Sequence, residues 1–174
     1  MNDYGRKITK AFQAILEVHR SASRLLLDCD GTIGRGRSSI FGNVVTRDLS
    51  KSVNDPDLWM PCGLFRFYAK DEMPGLVDGL TIYYWNNPPL CEEPLLIAGR
   101  IKYREGSACE AWDLWNAFFK WQEDRSLDKV ISVTRRPEEE SRMEWFKILA
   151  IPLFRIKSIE IVQQLMERVR SGEG

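Results

Sequence analysis

The chain contains 174 residues, with 25 Lys or Arg and 25 Asp or Glu residues, so its formal net charge is zero. This length fits one domain with a sizeable core, and the balanced charge disfavours nucleic acid as a partner because no overall field attracts a polyanion. The chain shows neither a signal-peptide pattern nor an apolar stretch approaching the roughly 20 residues that cross a bilayer. We therefore expect a single cytoplasmic domain that makes no membrane contact.

The cysteine and histidine content argues against a structural zinc site. The four cysteines, Cys29, Cys62, Cys91 and Cys109, form no Cys-x-x-Cys pair, and His19 is the only histidine. Such a site needs Cys and His ligands at close spacing, which this pattern does not offer. In a cytoplasmic protein we expect the thiols to be reduced.

The first predicted element is an amphipathic helix from about residue 7 to residue 27, because apolar residues recur there at three- and four-residue spacing. We expect its apolar stripe to be buried against the rest of the domain. The stripe consists of Ile8, Phe12, Ile15, Leu16, His19, Ala22 and Leu26. Residues 31–62 are predicted to form a long, partly ordered loop, since they are rich in Gly, Ser, Asn and Asp. Loops of this length are often functional.

Three strands are predicted in the middle of the chain, where aromatic and β-branched residues concentrate between Pro, Gly and Asn. They span residues 64–68, 80–85 and 95–103. The connections are too short for a crossover helix, so neighbouring strands should pair antiparallel as a meander. In the third strand, Ile97 and Ile101 face one way while Arg100 and Lys102 face the other. One side of the sheet should therefore meet solvent or a polar partner.

Five further elements are predicted in the C-terminal half. Ser107 and Glu110 form a capping box, which predicts a helix together with the aromatic residues that follow. Residues 129–134 predict a buried strand, and Pro137 followed by three glutamates predicts a helix start. A strand at about 153–157 and a final helix complete the chain. The predicted fold is α+β, with an antiparallel or mixed sheet of about four to six strands packed against the N-terminal helix and two or three further helices.

Residues 25–34 read Leu-Leu-Leu-Asp-Cys-Asp-Gly-Thr-Ile-Gly, an apolar run that leads two carboxylates into a glycine turn. This segment resembles the first signature of the haloacid-dehalogenase-like phosphohydrolases, in which a strand ends in Asp-x-Asp-Gly-Thr. The resemblance implies that Asp28 attacks a phosphoryl group, that Asp30 is the acid and base for the leaving group, and that both hold a magnesium ion. Thr134 is the candidate for the hydroxyl residue that follows a second strand in that family. The family's later pair of acids has no counterpart beyond Thr134.

The same residues can also form the end of the N-terminal helix, because Leu25 and Leu26 are in phase with it. Gly31 in the left-handed conformation would then close the helix, and Asp28 would not be a strand-end nucleophile. We favour this interpretation, and the conformation of residues 22–28 decides between the two.

The turn after the aspartates contains a second pattern with chemical interest. Gly31, Gly34 and Gly36, together with Arg35 and Arg37, could wrap a phosphate. Their order inverts the dinucleotide-binding fingerprint, however, and no helix clearly follows. We therefore interpret the segment as a mobile loop.

The chain is rich in aromatic residues, which are enriched where proteins bind partners or apolar ligands. The candidate binding residues on the sheet and the loop are Trp59, Tyr83, Trp85, Arg100 and Tyr103. We favour a non-catalytic binding or regulatory domain, an adaptor or a sensor, that uses no cofactor. Its partner would be another protein, a small ligand or a second copy of the chain. The alternative is the magnesium-dependent phosphohydrolase that the resemblance at residues 25–34 implies.

Overall fold

The computed structural model describes residues 3–47, 49, 51–55, 58–84, 92–121, 125–137 and 139–173. The helices within these residues are α1 (Asp3–Thr32), α2 (Asp113–Phe119) and α3 (Ile159–Ser171). The strands are β1 (Ser38–Ser39), β2 (Gly63–Ala69), β3 (Leu76–Tyr83), β4 (Leu95–Tyr103), β5 (Ile131–Thr134) and β6 (Met143–Pro152). None of the described helices combines the length and the apolar character that crossing a membrane requires.

The six strands form one sheet in the order β1-β2-β3-β4-β6-β5, and every neighbouring pair is antiparallel. The predicted meander corresponds to β2, β3 and β4. β6 extends the sheet beside β4, and β5 pairs with β6 as the edge strand. The predicted α+β fold, with an antiparallel sheet, an N-terminal helix and two further helices, is confirmed.

Each face of the sheet is covered by different helices. α2 covers one face, where the buried sheet residues include Phe65, Phe67, Ile97, Ile101, Phe146 and Ile148. The second half of α1 and the whole of α3 cover the other face, where the buried sheet residues include Leu64, Tyr68, Leu80, Ile82, Leu96 and Leu149. We expected one side of the sheet to meet solvent or a polar partner. Instead α1 and α3 cover the side that carries Arg100.

The C-terminal half contains one strand where a helix was expected. The helix predicted to start at Pro137 is wrong, since the chain passes through turns there and then forms β6. β6 pairs with β4 from Met143 to Pro152, and burial on both sheet faces outweighs the local helix signal of the glutamates. The strand predicted at 153–157 is also wrong, because a 3₁₀ turn at Leu153–Arg155 leads directly into α3.

α2 forms where the aromatic pattern predicts a helix, but it starts later than the capping box implies. Its first residue is Asp113, whose fully buried carboxylate accepts hydrogen bonds from the Glu110 N–H and from the Tyr103 hydroxyl, both at 2.7 Å. The Ser107 N–H donates to the Arg104 carbonyl in a turn instead of starting a helix. The buried acid therefore sets the start of α2, and the predicted capping box is wrong.

Candidate functional site

The Asp-Cys-Asp segment lies inside a helix and not at a strand end. Residues 22–28, which separate the two interpretations, belong to α1, and α1 continues to Thr32. Asp28 is exposed, and its backbone carbonyl accepts a hydrogen bond from the Thr32 hydroxyl at 2.8 Å. The helix-end interpretation is confirmed in this respect. Gly31 is not the closing residue, however, because it stays helical, and the left-handed glycine of the following turn is Gly36, with φ +68°.

Asp30 is held by two side chains of β2. The Arg66 guanidinium donates from Nε to Oδ1 at 2.7 Å and from Nη2 to Oδ2 at 2.6 Å, and the Tyr68 hydroxyl donates to Oδ1 at 2.8 Å. The hydrogen bond from Arg66 is the main cause that lowers the pKa of Asp30; burial opposes it, and Tyr68 adds to it. Asp30 is therefore a carboxylate in a bidentate ion pair that fastens the end of α1 to the sheet.

Thr134 is not close to either aspartate. It ends β5, which is four strand positions from β2 in the sheet order, so roughly 19 Å separate these two strands. The described part of the chain contains no group of three or more His, Cys, Asp or Glu side chains placed to hold a metal ion. Asp28, Asp30 and Thr134 therefore do not form the constellation that the phosphohydrolase resemblance implies.

The five candidate binding residues are not brought together. Tyr83 and Tyr103 are buried in the core beneath α2, and Trp85 lies outside the described residues. Trp59 is 55% exposed in the loop, where its indole N–H donates to the Ser52 carbonyl at 2.8 Å. Arg100 lies on the opposite sheet face from the two tyrosines, next to Asp78. The described aromatic residues thus contribute mostly to the core, as Phe65 and Phe118 do.

An exposed apolar surface lies on the first half of α1. Residues 3–14 are all exposed, and burial begins only at Ile15. We call residues 3–18 the arm; at 1.5 Å per residue it extends about 24 Å. Tyr4 and Phe12 are 69% and 65% exposed, and Ile8, Leu16 and Val18 are also exposed. We expected this stripe to be buried, but only its second half meets the sheet.

The arm carries a regular row of apolar residues that continues into the buried half of α1. Positions in the row alternate four and three residues apart, the spacing that places side chains on one seam of a helix. The row, which we call the seam, is Tyr4, Ile8, Ala11, Ile15, Val18, Ala22 and Leu25. Ala22 is buried against the sheet, whereas Tyr4 and Ile8 are exposed. The face that fixes α1 to the domain therefore extends beyond the domain.

A groove adjoins the C-terminal end of the seam. It has a volume of about 650 Å³ and separates α1 from the chain that enters α3. Its apolar lining is Ala14, Val18, Ala22, Leu25, Ile82, Leu153, Ile156 and Ile159. Since Val18, Ala22 and Leu25 belong to the seam as well, the groove and the arm form one continuous apolar surface.

The chain gives no significant match to protein-family models, to curated proteins or to solved structures. Fold and site define an α+β domain with an exposed, seam-bearing N-terminal helix. Sequence reasoning identified the residues of this helix from their period, but it assigned the binding surface to the sheet and the loop. The length of the apolar row was the signal that could have assigned the binding surface to α1. A row of this length at four-three spacing is longer than one face of the sheet can cover.

Proposed function

We propose that this chain is a non-catalytic protein-interaction domain that docks through the seam of α1, and that the partner helix is α1 of a second copy. The exposed apolar row on the arm is the main observation that supports the proposal. Contiguous apolar surface of this kind commonly marks an interaction site, since leaving it in water forgoes about 25 cal/mol for each Å² that a partner would bury. Four-three spacing suits another helix better than a flat surface, because side chains on such a row interlock with those of a facing helix.

The position of the sheet domain supports an antiparallel pair. The domain covers the seam side of α1 from about Ala22 onward, so a parallel partner following the seam would meet it. In an antiparallel pair centred between Ala11 and Phe12, Ile8 of one copy lies level with Ile15 of the other. The two domains then occupy opposite ends, and the overlap coincides with the exposed part of the arm.

The charged residues of the arm do not oppose this pairing. Arg6, Lys10 and Glu17 point away from the seam, given 100° of rotation per residue. Lys7 flanks the seam, and its ammonium is already 2.9 Å from the carboxylate of Asp3 on the same helix. Two arms can therefore approach through apolar contacts without burying an unpaired charge.

Sedimentation analysis of the purified chain over the micromolar range tests the proposal. We expect a dimer for the wild type and a monomer for the double variant Tyr4→Glu, Ile8→Glu, because two seam carboxylates on each arm would be desolvated in the pair. Val53→Glu is the control: Val53 is 79% exposed in the loop and does not belong to the seam, so this variant should stay dimeric. A wild type that sediments as a monomer throughout the range would contradict the proposal.

The alternative function, the magnesium-dependent phosphohydrolase, rests on the resemblance at residues 25–34. It lacks a supporting contact among the described residues, since Asp30 pairs with Arg66 and Asp28 lies on the outer surface of a helix. Magnesium-dependent release of phosphate from an aryl phosphate, lost in Asp28→Asn, is the observation that would favour it.

A further inference from the structure

Three arginines converge on one carboxylate at the sheet face that α1 and α3 cover. Arg100 donates from Nε to Oδ1 of Asp78 at 2.6 Å and from Nη2 to Oδ2 at 3.1 Å. Arg170 donates from Nε and Nη2 to Oδ2 at 3.0 and 2.8 Å. Arg37 places Nη1 at 2.6 Å from the same oxygen. We call Arg37, Arg100 and Arg170 the arginine cluster.

The arginine cluster and Asp78 come from four separate elements of the fold. Asp78 on β3 is in register with Arg100 on β4, and Arg100 is in register with Lys147 on β6. Arg37 comes from the turn after α1, and Arg170 from the last turn of α3. A cationic row on the sheet is thus completed by one side chain from a loop and one from a helix.

The cluster carries more positive charge than its acid can balance. Asp78 is fully buried, while the side chains of Arg37, Arg100 and Arg170 are 13%, 18% and 30% exposed. Within the described ranges, no second carboxylate lies within 4.0 Å of any of the three guanidinium groups. Three positive charges and one negative charge leave an excess of two, before Lys147 is counted.

The pKa values of the cluster are shifted as its geometry implies. Burial raises the pKa of Asp78, but the hydrogen bond from Arg100 and the three positive charges outweigh it, so the pKa is lowered overall. The pKa of Arg37 is lowered, first by burial and then by repulsion from Arg170 and Arg100, although Asp78 opposes this. The cations therefore repel one another at a site where, among the described residues, Asp78 is the one anion in contact with them.

The guanidinium N–H groups that do not bind Asp78 indicate what kind of ligand the cluster suits. A guanidinium presents N–H donors on all three nitrogens, and the contacts to Asp78 use at most two nitrogens of any arginine. A phosphate monoester carries about −1.5 to −2 charges at neutral pH and accepts such paired N–H groups. One phosphate group would balance the excess charge and accept the remaining donors.

We infer that the arginine cluster is a binding site for the phosphate group of a small molecule, which the partly exposed edge at Arg170 admits. Arg100 and Arg37 approach from the sheet and the loop, and Asp78 fixes all three guanidinium planes before the ligand arrives. A cluster serving only to hold α3 on the sheet would need no more than one or two cations. This inference is independent of the pairing of α1.

Calorimetric titration with inorganic phosphate, at an ionic strength held constant with chloride, tests the inference. We expect saturable binding to the wild type and at least about tenfold weaker binding to Arg170→Gln, since a charge-assisted hydrogen bond is lost. Arg168→Gln is the matched control, because Arg168 lies on the same helix and pairs with Asp128; it should bind phosphate like the wild type.

Two further measurements keep the test decisive. Arg170→Lys retains the charge without the planar fork, so its affinity should lie between those of the wild type and Arg170→Gln, and it serves if Arg170→Gln does not fold. Acetate in place of phosphate should bind at least about tenfold more weakly, because its single charge leaves the excess unbalanced. Equal phosphate affinity in all variants, or no saturable binding to the wild type, would overturn the inference, as would acetate binding as tightly as phosphate.

Discussion

The two faces of the sheet differ at its centre, where β3 and β4 lie side by side. On the α2 face, Gly79 and Gly99 lie opposite each other on β3 and β4, and Leu114 of α2 packs onto the space that they leave. On the face covered by α1 and α3, the neighbouring register position pairs Asp78 with Arg100. At this position one face therefore depends on close apolar packing, whereas the other adds to its apolar core a charge network whose members come from distant parts of the chain.

The largest expected effect concerns the charge network. Replacing Asp78 by Asn should lower the free energy of unfolding by about 3 to 5 kcal/mol, because three partly buried guanidinium groups would lose the carboxylate that they share. Urea denaturation followed by circular dichroism measures this change. A loss below about 1 kcal/mol would show that the cluster contributes little to stability.

Asp128 provides the matched control for Asp78. It also pairs with two arginines, Arg155 and Arg168, but its side chain is 50% exposed. Asp128→Asn should therefore cost less than about 1 kcal/mol, since exposed ion pairs are weak. Asn also tolerates the left-handed backbone at this position, where φ is 59°. The difference between the two variants reports mainly the effect of burial, to which the third arginine on Asp78 adds.

The sequence predicted the local elements better than the contacts between distant residues. The period of α1 and the alternation in β4 are local signals, so the first helix and the meander could be predicted. β6 was missed because a strand buried on both faces loses its alternation. The arginine cluster could not be assembled, since Asp78 and Arg170 are 92 residues apart. Its one available signal was an acid in phase with the core residues Leu80 and Ile82.

The exposed arm was missed for a different reason, although the length of its apolar row was an available signal. An amphipathic pattern shows which side of a helix is apolar, but it does not show how far the partner surface extends. The stripe from Ile8 to Leu26 looks continuous in the sequence, whereas the sheet reaches only its second half. The proposed docking surface is the part of the pattern that the fold leaves uncovered.

A substitution on the α2 face of the sheet should have the next largest effect on stability. A Cβ at Gly99 would overlap the Leu114 side chain and come within 3.1 Å of Ile148. Gly99→Ala should therefore lower the free energy of unfolding by about 1 to 3 kcal/mol, because α2 must shift away from the sheet. Urea denaturation measures the loss, and near-ultraviolet circular dichroism should report the altered packing around α2. An unchanged stability would mean that α2 is not seated on the glycine pair.

The smallest expected effect tests the conformation of the Asp-Cys-Asp-Gly segment. Gly31 is helical and a Cβ there would meet nothing within 4 Å, so Gly31→Ala should raise the free energy of unfolding by about 0.5 to 1 kcal/mol. Gly36 has φ +68°, and Gly36→Ala should instead lower it by about 1 to 2 kcal/mol. If the segment ended a strand with Gly31 in the left-handed turn, the first variant would be destabilised as well. The sign of the change at Gly31, measured by urea denaturation, therefore separates a helix end that fastens α1 through Asp30 from a strand end that presents Asp28 to a substrate.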